Sequence, residues 1–184
     1  MFQRTPPIIN TPVINLCTQI NKESKPIFLD VEAKPHSVEL DCYANVSQQI
    51  AQEEGRVQYG WQLWEWPGVM IEAEFHAIWV DKDGKLHDIT PKTNKRITKI
   101  LFLPDDSRTY EGRQIDNVRI PLQEDPLIHE FIDNAHRYFE AMNRGELASF
   151  HGYVELTPEM KALAIRHKQL IGILAQKYPI QNFL

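Results

Sequence analysis

The chain has 184 residues, of which 42% are apolar and 24% charged, with 20 basic against 25 acidic side chains and a net charge of −5. That length suits one domain burying roughly 70% of the extended chain's surface, and no apolar run approaches the roughly 18 residues of a membrane span. The acidic balance lacks the basic footprint of a nucleic-acid binder, and the opening Met1-Phe2-Gln3-Arg4-Thr5-Pro6-Pro7 lacks the apolar core of a signal peptide, so a cytoplasmic protein is expected.

Five of the twelve prolines fall within residues 1–35. Proline fixes φ and removes a donor, so residues 1–37 are predicted to form an arm without a helix, with one strand over 26–32. Asp41 as N-cap and Gly55 as C′ residue bracket a helix. Val46, Ile50 and Ala51 form its apolar stripe, and Cys42 falls in its first turn. The period then changes to two. Val57, Tyr59, Trp61 and Leu63 alternate with polar residues and glycine, and Pro67-Gly68 makes a turn. The strand over 70–80 places Ile71, Ala73, Phe75, Ala77 and Trp79 on one face. Glu72, Glu74, His76, Ile78 and Val80 take the other. Asp81-Lys82-Asp83-Gly84 signals a hairpin, and residues 85–90 return as a short strand closed by Pro91. Residues 92–96 form a basic loop, and 97–103 another strand.

In the C-terminal third, Asp125 caps a helix with Pro126 at its first position. Apolar residues recur from Leu127 to Met142, and Gly145 ends the run. Thr157-Pro158-Glu159 opens a second helix that buries Met160, Leu163, Ala164, Leu170, Ile171 and Leu174. The chain divides into an arm (1–37), a helix with an antiparallel sheet (38–104) and a mainly helical part (105–184). This is an α+β pattern in a single domain.

The two cysteines, Cys17 and Cys42, are too few for a disulfide framework or a four-cysteine zinc site. They leave room for one reactive thiol. Cysteine catalysis needs a thiolate, a base beside it and a group that orients the base. Helix N-termini favour thiolates, and Cys42 sits at one. His76 is the candidate base and Asp88 the candidate orienter. Two hairpin registers are open. A two-residue loop turns Asp88 to the opposite face from His76. A loop of Lys82-Asp83-Gly84, with Gly84 left-handed as a bulge, pairs Asp81 with Lys85 and brings His76 and Asp88 together as diagonal neighbours. Glycine at the third loop position favours the second register.

Asp41-Cys42 opening a helix, then His76 and Asp88 on following strands, resembles the order in papain-like cysteine hydrolases. The compact form is similar to the NlpC/P60 and transglutaminase-like branches. The blocks Cys42-Tyr43-Ala44-Asn45-Val46, Glu74-Phe75-His76 and Asp88-Ile89-Thr90-Pro91 also resemble an uncharacterised bacterial family with C-x-x-N-V, E-x-H and D-x-T-P patterns. The resemblance spans roughly residues 41–104. It implies a Cys42-His76-Asp88 triad acting on a peptide or other amide-bearing substrate without a cofactor. No glutamine precedes Cys42 in the papain manner, so Asn45, one turn along the helix, is the positional candidate for stabilising the oxyanion. Glu74 beside His76 hints at a basic or amine-bearing substrate, and Trp64 and Trp66, near the turn, are expected to wall a cleft.

Two other readings stand beside this one. The chain is an interaction module with an aromatic sheet face and a buried Cys42, or a metal-binding protein using Glu72, Glu74 and His76. His129, Asp133 and His136 share a helix face that reads as solvated surface, as does the basic run from Lys92 to Lys99.

Overall fold

The computed structural model describes residues 2–150 and 152–179. In chain order the elements are α1 (Thr11–Ile20), β1 (Ile27–Asp30), α2 (Cys42–Gln52), β2 (Gly55–Trp66), β3 (Met70–Asp81), β4 (Leu86–His87), β5 (Lys99–Pro104), β6 (Val118–Pro121), α3 (Pro126–Met142), a short 3-10 helix (Gly145–Ser149) and α4 (Pro158–Lys177). The architecture is α+β, with an antiparallel sheet and two C-terminal helices. No helix among the described residues is long and apolar enough to cross a membrane.

The arm expected to lack a helix contains one. Asn10 caps α1, its side chain accepting from the Val13 N–H at 3.2 Å, and Pro12 sits in the first turn. A proline there forfeits no hydrogen bond, because the first N–H groups of a helix have no partner within it. No further proline follows until Pro26. Val13, Leu16 and Cys17 are buried against Trp61, Leu63, Phe75 and Leu103 on one face of the sheet. The strand expected over 26–32 is β1, shorter than predicted at Ile27–Asp30.

Two glycines expected to end helices do not. α2 stops at Gln52 with Glu53 as its C-cap, and Gly55 instead opens β2 opposite Asp81. α3 stops at Met142, capped by Asn143, and Gly145 begins the 3-10 turn. The part taken as mainly helical also holds a strand, β6.

The sheet follows the order β1-β5-β2-β3-β4, with β6 also paired to β3. β2 and β3 form a long hairpin, paired from Gly55 with Asp81 to Trp66 with Met70. The other edge of β3 is shared by two short strands. β6 pairs with Met70 to Ala73, and β4 pairs with Trp79 and Val80. Residues 74–78 between them have no strand partner on that edge. The N-terminus of α2 fills this gap, with the Tyr43 hydroxyl donating to the Phe75 carbonyl at 3.3 Å. Behind it, Cys42 and Val46 pack on Ala77, Trp79 and Ile89. On the opposite face, Ile78, Ile100 and Phe102 form a separate cluster with β1. α3 and α4 bury Ile128, Phe131, Leu170 and Leu174 against Trp66, Val69 and Met70 at the turn end of the hairpin.

Gly60 lies directly opposite His76 in this register. A Cβ there would stand 2.3 Å from the Leu103 carbonyl oxygen and 2.5 Å from the Phe102 ring. Neither backbone nor buried ring can yield, so Gly60→Ala is expected to cost about 2 kcal/mol or more in chemical denaturation. A change within about 0.5 kcal/mol would show that β2 and β5 are not this close.

Candidate active site

The site rests on the hairpin after β3. Gly84 is left-handed with φ 83°, its N–H donates to the Asp81 carbonyl at 3.0 Å, and the Asp81 N–H donates to the Lys85 carbonyl at 3.0 Å. Trp79 pairs with His87 and Val80 with Leu86. This is the bulged register, and it places Asp88 beside His76. His76 Nε2 lies 3.0 Å from Asp88 Oδ1. Asp88 is fully buried, and its backbone is fastened to the end of β1, its carbonyl accepting from the Glu32 N–H at 2.7 Å.

Asp88 has a second partner that the sequence did not suggest. Lys92, assigned to a solvated loop, is 8% exposed. The chain bends at Thr90, and Lys92 Nζ lies 2.7 Å from Asp88 Oδ2 as an ion pair. The same ammonium donates to Gln62 Oε1 at 2.9 Å. Gln62 is 2% exposed, and its Nε2 has no hydrogen-bond partner among the described residues. The only sequence sign of either residue was parity. Gln62 shares a sheet face with His76, and Lys92 follows Asp88 by four residues. The rest of the basic run behaves as a surface, with Lys95 paired to exposed Glu39 and Lys99 to Asp30.

Cys42 is the first residue of α2 and is 8% exposed. Asp41 precedes it as N-cap but makes no side-chain capping bond. The first N–H groups of the helix therefore stay available to an anion. Asn45 does not serve as the expected oxyanion donor. Its Nδ2 donates to the Val38 carbonyl at 2.8 Å and to Thr90 Oγ1 at 3.2 Å, and its Oδ1 accepts from the Val38 N–H at 2.8 Å. Both amide hydrogens are used. Asn45 instead clamps the chain entering the helix to the segment that carries Asp88.

Among the described residues no hydrogen bond joins the Cys42 thiol to His76. Their coupling is electrostatic. Burial opposes a charged imidazole at position 76. Electrostatic interaction with Cys42 and with the carboxylate of Asp88 outweighs burial and the opposing Lys92, and holds the His76 pKa up at about 9. Burial likewise opposes ionisation of Asp88, but His76 and Lys92 reverse it, and the carboxyl is held below its usual range. Because Nε2 is committed to Asp88, Nδ1 is the nitrogen left to exchange a proton with a reactant. Cys17 lies within α1 and not at its N-terminus, packed in the core, and burial pushes its thiol up to about 11.

Cys42, His76, Gln62, Trp64 and Glu74 line one cavity of about 270 Å³. Trp64 lines this cavity, its Nε1 donating to Glu74 Oε2 at 2.7 Å. Trp66 does not. It is 2% exposed, packed edge-on against Phe131 in the core under the two C-terminal helices. Its position at the very end of the hairpin gave it to the helices. The three residues considered for a metal have separate partners. Glu72 accepts from Arg119 at 2.7 Å and Asn117 at 2.8 Å, Glu74 binds Trp64, and His76 binds Asp88. Among the described residues no group of three His, Cys, Asp or Glu is arranged to hold a metal. His129, Asp133 and His136 likewise pair separately, with Glu124, Arg137 and Asp116.

No protein-family model, curated protein or solved structure matches this chain.

Removing one partner of a buried ion pair strands the other. Lys92→Met is therefore expected to lower stability by about 3 kcal/mol in urea denaturation. A loss under about 0.5 kcal/mol, the usual effect of a surface lysine, would mean that Lys92 is not buried against Asp88.

Proposed function

We propose that this chain is a cysteine hydrolase or acyl-transfer enzyme acting on an amide bond. The observation that carries this reading is the buried His76–Asp88 pair set beside a thiol at an uncapped helix N-terminus. The resemblance of the Cys42, His76 and Asp88 blocks to papain-like hydrolases points the same way.

In this reading the Cys42 thiolate attacks the substrate carbonyl carbon, and the carbonyl π pair moves onto oxygen. The resulting oxyanion is met by N–H groups of the first turn of α2, and the cavity beside the thiol holds the rest of the substrate. As the C–N bond breaks, the imidazolium of His76 gives its Nδ1 proton to the leaving amine. A thioester remains on Cys42. Water or a second amine then attacks it, His76 takes the proton of that nucleophile, and the thiolate leaves. Asp88 keeps the ring oriented and stabilises its cation throughout. No cofactor enters any step.

Iodoacetamide followed by peptide mass mapping tests the nucleophile. Cys42 is expected to react about tenfold or more faster than Cys17 at neutral pH, and His76→Ala to slow Cys42 while leaving Cys17 unchanged. Equal rates at the two cysteines would sink the enzyme reading.

The pH dependence follows from His76. The acid is present while the ring is protonated, so amide cleavage falls as pH rises through about 9. Alkylation of Cys42 needs no proton donor and does not fall there. Cleavage that kept rising above that pH would remove His76 from the role of acid.

A further inference from the structure

We propose that the site takes an extended, peptide-like substrate lying across Cys42, and that Leu40 is the residue that recognises an apolar side chain next to the reacting carbonyl. This rests on the cysteine-enzyme reading above and narrows its substrate class.

Two cavities meet at the thiol. The one of about 270 Å³ holds Gln62, Trp64 and His76. The other, of about 600 Å³, is lined by Tyr43, Tyr138, Phe139 and Met142. Leu40, Cys42, Glu74, Phe75 and Asn117 line both. A substrate that fills both must continue in two directions from its reacting carbonyl. A peptide does this; a small terminal carboxamide does not.

Leu40 is the one non-glycine residue among those described with a positive φ, at 64°. That conformation crowds Cβ against the backbone and is one that glycine adopts freely. The two residues before it are held in place. Asn45 clamps the N–H and carbonyl of Val38, and Lys95 pairs with Glu39. The leucine side chain is 88% exposed, so it contributes almost nothing to the core. Neither backbone preference nor packing within this chain accounts for a large apolar side chain here. Strained residues of this kind gather where a ligand is gripped, and the residue stands two positions before the nucleophile at the shared mouth of its two cavities.

The test compares two cysteine-directed acyloxymethyl ketones, N-acetyl-leucyl and N-acetyl-aspartyl, by intact mass, with iodoacetamide as a small reference reagent. In the native chain the leucyl reagent is expected to label Cys42 about tenfold faster than the aspartyl one, the scale of one apolar contact in a pocket. Leu40→Gly and Leu40→Asn, both at ease with positive φ, are expected to erase that preference. Each ketone rate is divided by the iodoacetamide rate at Cys42 of the same variant, and Leu40→Gly is expected to leave the thermal midpoint equal or higher. The proposal is overturned if the preference survives either substitution, or if the native chain labels with both ketones equally. If iodoacetamide shows no preference for Cys42 over Cys17, the enzyme reading itself fails and this inference falls with it.

Discussion

Everything at this site depends on a hairpin register that one left-handed glycine fixes. Side chains on a strand alternate between faces, so a slip of one residue would turn Asp88 away from His76. Gly84 at φ 83° absorbs the extra residue of the bulge, and Asp81 then pairs with Lys85. Asp81 reinforces this turn, its Oδ1 accepting from the Lys85 N–H at 2.9 Å and its Oδ2 lying 2.9 Å from His87 Nε2. From that register the buried imidazole–carboxylate pair follows, and so does the course of the chain through Pro91 that brings Lys92 underneath.

The cluster is an expensive arrangement for a small domain. Asp88 is fully buried, with His76 and Lys92 nearly so. Removing such charges from water costs several kcal/mol each before pairing offsets it. An apolar cluster of equal volume would serve stability as well. Cys42 and Asp88 keep a proton on His76 to about pH 9 against burial and the opposing charge of Lys92. The gap in the edge of β3 completes the arrangement. It admits the first turn of α2 beside His76, where Tyr43 and Asn45 fasten it to Phe75 and Thr90.

The local parts of this site were legible in the sequence. Asp41 and Cys42 at a helix start, the alternation of β3 and the Asp81 to Gly84 turn are short-range signals, and each reappears in the fold. The fully buried Asp88 was reachable because register is set by turn chemistry. What escaped depends on three-dimensional closure. Lys92 reads as one member of a basic run, and only the inward course after Pro91 separates it from Lys95 and Lys99. Asn45 sits one turn from the thiol, yet its amide turns to Val38 because that backbone lies beside it. Trp66 has the parity of a cleft residue but lies where α3 and α4 dock. α1 was hidden because a proline count ignores where in a helix the proline falls.

The central claim is that Cys42, together with Asp88, strengthens the hold of the His76 ring on its proton. NMR titration of the His76 ring in the native chain and in Cys42→Ser measures it directly. The native ring is expected to lose its proton near pH 9, and to lose it at lower pH once serine, which does not ionise, replaces the thiol. The same midpoint in both proteins would show that Cys42 does not help hold the proton on His76, and would contradict the account.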